Sequence, residues 1–66
     1  MITQKGQIVA EITSFTYKVK LSNGHEVLCY PSGRMRRYHI RILPGDTVTV
    51  ELSPHDLSRG RIVYRN

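Results

Sequence analysis

Tyr17–Leu21 alternates strictly, with Tyr17, Val19 and Leu21 on one side and Lys18 and Lys20 on the other. A period of two marks a strand with one buried and one solvated face. The segment runs directly into Ser22-Asn23-Gly24. Asn-Gly is the strongest short hairpin signal, because both residues accept positive φ. Glu26–Tyr30 then returns as the partner strand. The chain has 66 residues, read as one domain spanning 1–66. A chain of that size buries only roughly 60% of the surface its unfolded form exposes. It has no room for a deep pocket beside a core, nor for a nucleotide fold built from several βαβ units.

Three more patches favour strand. Gln7–Ile12 sets Ile8, Ala10 and Ile12 against Glu11, and Thr47–Leu52 sets Val48, Val50 and Leu52 against Thr47, Thr49 and Glu51. Arg61–Arg65 places Ile62 and Tyr64 opposite Arg61, Val63 and Arg65. Between the third and fourth patches, Pro31-Ser32-Gly33 breaks the sheet, since proline lacks a ladder donor and glycine permits a sharp bend. Arg34–His39 reads as a short helix with Ser32 near its N-cap. Met35 with His39, and Tyr38 with Ile42, would each share a helical face. Pro44-Gly45-Asp46 is a turn; Pro54-His55-Asp56 and Ser58-Arg59-Gly60 form the last connection. Three strands, a helical connector and two strands predict an all-β fold. The order fits a five-stranded oligonucleotide-binding-type Greek-key barrel with a short helix between strands 3 and 4. Closure also removes exposed sheet edges. Periodicity alone leaves an SH3-like barrel open.

Charge narrows the partner. Ten Lys and Arg face five acids, for a net charge of +5, and a domain this basic expects an anionic partner. Arg34, Arg36, Arg37 and Arg41 lie close together, and no acid occurs between Glu26 and Asp46. Arg59, Arg61 and Arg65 form a second group, and Lys18 and Lys20 could extend the patch. Every cation from residue 34 onward is arginine. Guanidinium binds phosphate in bidentate fashion and stacks on bases, whereas lysine would serve solubility equally well. The bland reading is a solvated basic surface; the clustering, the arginine bias and the missing acids favour RNA.

The aromatic residues are Phe15, Tyr17, Tyr30, Tyr38 and Tyr64. Tyr17 and Tyr64 fall on apolar faces and are assigned to the core, and Phe15 to covering the barrel end. Tyr30 and Tyr38 remain for stacking or for packing. That is thin for a single-strand stacking platform. It suits recognition of a folded RNA by shape, phosphates and a few displaced bases.

Other chemistries fit poorly. The acids are dispersed, with no pair placed as general acid and base. A single cysteine, Cys29, excludes an internal disulfide. His25 and Cys29 flank a hairpin strand without a second Cys or His to complete a zinc set. No P-loop or dinucleotide fingerprint occurs. The expectation is therefore a non-enzyme with no cofactor and no metal. No apolar run approaches the roughly 18 residues of a membrane span, and the start of the chain lacks a signal-peptide stretch. A cytoplasmic protein that does not engage the membrane is expected.

Longer motifs point to a family. Ser32-Gly33-Arg34-Met35-Arg36-Arg37 followed by Ile40-Arg41-Ile42-Leu43-Pro44-Gly45-Asp46 resembles the signature of bacterial translation initiation factor one. Asn23-Gly24-His25, Val48-Thr49-Val50-Glu51-Leu52 and Asp56-Leu57-Ser58-Arg59-Gly60-Arg61-Ile62-Val63 resemble it too. The likeness runs from about Gly6 to Arg65. It implies an S1-like oligonucleotide-binding domain that binds the small ribosomal subunit at the aminoacyl-tRNA site. Contacts would go to ribosomal RNA and a neighbouring ribosomal protein. The factor would act as a monomer, block premature tRNA entry and cooperate with initiation factors two and three.

The same resemblance marks Lys18, Arg34, Met35, Arg36, Arg37, Arg41, Arg61 and Arg65 as RNA-contacting positions; Tyr38, open to stacking, and His39, within the Arg-rich segment, complete the candidate RNA-binding set. Met35 would press a flexible apolar surface on a base, or else cap the barrel. The family often has Asn-Tyr where this chain has Tyr38-His39, and Cys29-Tyr30-Pro31 replaces a more usual small residue, His and Ile. The alternative function is a general single-stranded RNA-binding protein or RNA chaperone, which would call for aromatic-rich strands two and three. A further alternative is an adaptor that sets its basic face on an acidic protein.

Overall fold

Local signals fix the hairpin around Ser22-Asn23-Gly24 in the computed structural model, which describes residues 2–66. Met1, part of the single-domain span, lies outside the described residues. Strand β2 covers Thr16–Leu21 and β3 covers Glu26–Pro31. The Leu21 N–H donates to the His25 carbonyl at 2.7 Å and the Gly24 N–H to the Leu21 carbonyl at 2.9 Å. Only Gly24, at φ 89°, uses the left-handed region, and the Asn23 side chain instead accepts from the His25 N–H at 3.0 Å. The turn is thus a longer loop closed by glycine, not a two-residue turn with both central residues at positive φ.

The remaining elements are β1 (Ile2–Thr13), α1 (Gly33–Arg37), β4 (Thr47–Ser53) and β5 (Asp56–Arg65). They close a barrel in the order β1-β2-β3-β5-β4. All pairings are antiparallel except β3 with β5. This is the oligonucleotide-binding order, with the helix between β3 and β4, and it settles the choice against an SH3-like barrel. Ile8, Val19, Val27, Val48, Val50, Leu52 and Ile62 fill the interior. No described helix is long and apolar enough to cross a membrane.

Two strands are longer than their sequence patterns suggest. β1 begins at Ile2 because its first half pairs with β4, from Ile2↔Leu52 to Gln7↔Thr47, before its second half pairs with β2. β5 begins at Asp56 because the expected Ser58-Arg59-Gly60 connection is itself strand, running parallel to β3 from Leu28↔Arg59 to Pro31↔Ile62. Gly60 makes that approach possible: a Cβ there would lie 2.7 Å from Leu52 Cδ2 and 3.1 Å from Cys29 Sγ.

Register shifts overturn two expected inward positions. Between Ile8 and Ala10 the β1–β2 register slips, so Ile8 is buried while Ile12 is 52% exposed. Between Thr49 and Val50 the β4–β5 register slips, so Ile62 is buried and Tyr64 is 64% exposed. A bulge re-aims every side chain beyond it. Tyr64 therefore belongs to the surface, whereas Tyr17 sits in the core as expected.

Candidate nucleic-acid interface

The Arg-rich segment is held by caps at both ends. The Ser32 hydroxyl accepts the Met35 N–H at 3.3 Å, the N-cap bond anticipated from sequence. The helix ends sooner than expected, at Arg37, because His39 adopts φ 51°. The His39 N–H then reaches the Arg36 carbonyl at 3.2 Å and the Ile40 N–H reaches the Met35 carbonyl at 3.1 Å. That pair of bonds is a Schellman motif, with histidine in the position glycine usually fills. The anticipated helical pairs Met35–His39 and Tyr38–Ile42 therefore do not form on one face.

The caps decide which way the side chains point. Met35 turns inward, is 2% exposed and joins the barrel core with Ile42. Of its two readings, this burial favours the capping one. Arg34, Arg36 and Arg37 turn outward with Tyr38 and His39, and Arg41 is also exposed. Among the described residues, none of these arginines meets a carboxylate in a salt bridge. The Arg36 guanidinium lies over the Phe15 ring, 5.2 Å from its centroid. Phe15, expected to cover the barrel end, instead stays exposed in the β1–β2 turn as a platform for that cation.

Arg65 joins the group from β5, its Nη1 donating to the Arg41 carbonyl at 2.7 Å. Between α1 and β5 lies a concavity of about 220 Å³, floored by Met35 and Val63 and walled by Tyr38 and Tyr64, with Arg34 and Arg65 on its rim. Tyr64 was missed as a surface aromatic because the bulge that exposes it leaves no trace in the local alternation.

Lys18 and Arg61 sit elsewhere, on the outer wall of β2, β3 and β5. Lys18 Nζ lies 3.8 Å from Glu26 Oε1, and Arg61 Nη2 lies 2.6 Å from Glu51 Oε1. Tyr30 and Arg59 share a concavity of about 240 Å³ with Arg61 and Glu51. Leu28, Tyr30, Arg59 and Thr16 line another of about 240 Å³. The ten-residue set thus divides into a rim at the helix end, a wall with paired charges and one core residue.

The acids are in structural use. Glu11 lies opposite Tyr17 in the β1–β2 ladder; burial first, and then that carboxylate, push the Tyr17 phenol up. Asp46 Oδ2 accepts the Leu43 N–H at 2.9 Å. Asp56 accepts the hydroxyl and N–H of Ser58, which together hold its carboxyl below the usual range. Cys29 is fully buried and its thiol is pushed up to about 12, chiefly by burial. A thiol in that state is a small core hydrophobe rather than a nucleophile. Among the described residues no group of three or more His, Cys, Asp or Glu side chains is placed to hold a metal.

Comparison with solved structures finds the same barrel in several settings. The solution structure of the translation initiation factor IF-1 from the Wolbachia endosymbiont strain TRS of Brugia malayi matches with a TM-score of 0.82 and 40% identity, over 98% of this chain and 77% of that one. YjeQ from Thermotoga maritima matches with a TM-score of 0.80 and 23% identity, covering 98% of this chain and 23% of that one. The circularly permuted GTPase YloQ matches with a TM-score of 0.81 and 19% identity, over 98% and 23% of the respective chains. These last two share the fold alone. The model of the translation initiation factor 1A / IF-1 family matches residues 2–66. A capped, arginine-bearing helix on an oligonucleotide-binding barrel, matched to that model along its described length, makes this chain a member of the translation initiation factor 1A / IF-1 family.

Proposed function

We propose that this initiation factor binds the small ribosomal subunit at the aminoacyl-tRNA site and acts by occupying it. The observation that carries the reading is the rim: Arg34, Arg36 and Arg37 are exposed and free of salt bridges among the described residues, on a helix held at both ends. With Arg41 and Arg65 beside them, they form a preorganised set of donors for the phosphates of a ribosomal RNA groove. Tyr38 and His39 sit within the same exposed turn and supply ring faces for displaced bases. Lys18 and Arg61 on the wall contribute once RNA competes with their carboxylates. A neighbouring ribosomal protein completes the seat.

No covalent step is needed. The closed barrel is 27 × 21 × 21 Å across, so its bulk excludes an incoming tRNA. Cooperation with initiation factors two and three follows if they hold the initiator tRNA while this monomer keeps the adjacent site closed. The test is competition on message-programmed small subunits in the cytoplasmic translation system. Added protein lowers elongator tRNA binding in the aminoacyl site and leaves initiator binding intact. Unchanged elongator binding at saturating protein contradicts the reading.

The exposed Tyr30 and Leu28 beside Arg59 give the alternative, a general single-strand binder, one feature in its favour. Equal affinity for arbitrary single strands and for small subunits would select it.

A further inference from the structure

Phe15 is 59% exposed and adds nothing to the barrel interior. Its place is nevertheless well defined. Thr13 on β1 pairs with Thr16 on β2, so Ser14 and Phe15 alone make the turn between them. The Phe15 N–H donates to the Thr13 hydroxyl at 3.3 Å, a local bond of the kind that holds tight turns in one conformation. The β1–β2 register slips between Glu11 and Thr13, just before the turn. A bulge at that point sets the direction in which the turn leaves the barrel.

The ring meets the helix from outside. α1 packs on β3 and β5, and Met35 anchors it in the core. Arg36 is what it presents to the β1–β2 turn: the guanidinium carbon stands 5.2 Å from the Phe15 ring centroid. The Arg36 backbone is bonded on both sides. Its N–H donates to the Ser32 carbonyl at 3.1 Å, and its carbonyl accepts the His39 N–H at 3.2 Å. A turn on one side and a capped helix on the other therefore fix both partners of the contact.

The chemistry of that contact matters for a binding arginine. Attraction to the ring face is electrostatic and uses none of the five N–H donors of the guanidinium. No described carboxylate takes them either. Arg61 is held by a carboxylate, which locates its charge and offsets it together. Arg36 is located by a neutral ring, so its charge stays whole. An arginine loses much of its rotamer freedom when it grips a phosphate. Arg36 gives up part of that freedom before the phosphate arrives, which raises affinity without any new contact to the ligand.

We propose that Phe15 is a positioning residue for the arginine rim, holding the Arg36 guanidinium toward an RNA phosphate while making no RNA contact of its own. The proposal rests on the ribosomal reading above and deepens it: part of the rim's affinity comes from a residue outside the Arg-rich segment.

The test is a double-mutant cycle of F15L and R36Q, with F15W beside it. The readouts are affinity for purified small subunits, its salt dependence, and proton NMR of the free protein. F15L keeps an apolar side chain without a π face, and F15W keeps a stronger π face. Phe15 is exposed, so these variants keep the fold, checked by thermal melt. F15L should bind about 3-fold to 5-fold more weakly. Its slope of log affinity against log salt should match the parent, because Arg36 still reaches its phosphate. R36Q should weaken binding and lower that slope by about 1. In the R36Q background F15L should cost nothing further, and F15W should bind like the parent. The ring-current shift of the Arg36 side-chain protons should vanish in F15L and persist in F15W. Parent affinity in F15L would overturn the proposal and leave the rim reading standing. An equal loss from F15L with and without Arg36 would also overturn it, giving the ring a contact of its own with the partner. Full affinity in R36Q would remove Arg36 from the interface and the proposal with it. Full affinity in R36E/R37E as well would overturn the ribosomal reading itself.

Discussion

At the helix end, Arg34, Arg36 and Arg37 stand clear of every described carboxylate, whereas on the wall Arg61 lies 2.6 Å from Glu51 and Lys18 lies 3.8 Å from Glu26. Both regions are basic by residue count. A phosphate arriving at the rim meets guanidinium groups that no described carboxylate engages and gains their charge-assisted bonds. A phosphate arriving at the wall must first displace a carboxylate and then lie beside it. The exposed pairs themselves contribute little to folding, on the order of 0–1 kcal/mol each. On the proposed reading their effect is on binding: they mute the wall. The two regions also differ in what holds them. The wall is strand on strand, tightened by the close approach at Gly60, while the rim depends on one N-cap and one left-handed histidine.

The largest test of this contrast is charge reversal at the rim. R36E/R37E should lower affinity for small subunits about 100-fold or more, while circular dichroism and the thermal melt stay those of the parent. Retained binding by the folded variant would remove the rim from the interface. R61A should cost much less, roughly 5-fold or under, because its guanidinium is already engaged. The smallest change has the opposite sign. E51Q frees Arg61 and removes a repelling carboxylate, so small-subunit binding should tighten by about 2-fold to 3-fold. If R61A proved as damaging as R36E/R37E, or E51Q weakened binding, pairing would not be what separates the two regions.

Features written into consecutive residues were legible in the sequence. The alternation of Tyr17–Leu21, the glycine turn after it and the Ser32 cap each depend on neighbours along the chain, and the structure bears them out. The first halves of β1 and β5 were not legible. Each is strand because of a partner far away in sequence, β4 for Ile2–Gln7 and β3 for Arg59–Ile62. Bulges hid the exposure of Ile12 and Tyr64, since one slipped residue inverts the alternation that periodicity relies on. The candidate interface divides the same way. Arg34, Arg36, Arg37 and Arg41 group in space because they group in sequence. The carboxylates that occupy Lys18 and Arg61, the Phe15 ring under Arg36 and the inward turn of Met35 are all tertiary facts. They emerge only once the barrel closes.

Chemical footprinting of small-subunit RNA, with and without the protein, bears most directly on occupancy of the decoding region. The account predicts protection concentrated at the aminoacyl-tRNA site, lost at low protein concentration in R36E/R37E. Protection scattered over the subunit, or strong protection that leaves that site untouched, would contradict it.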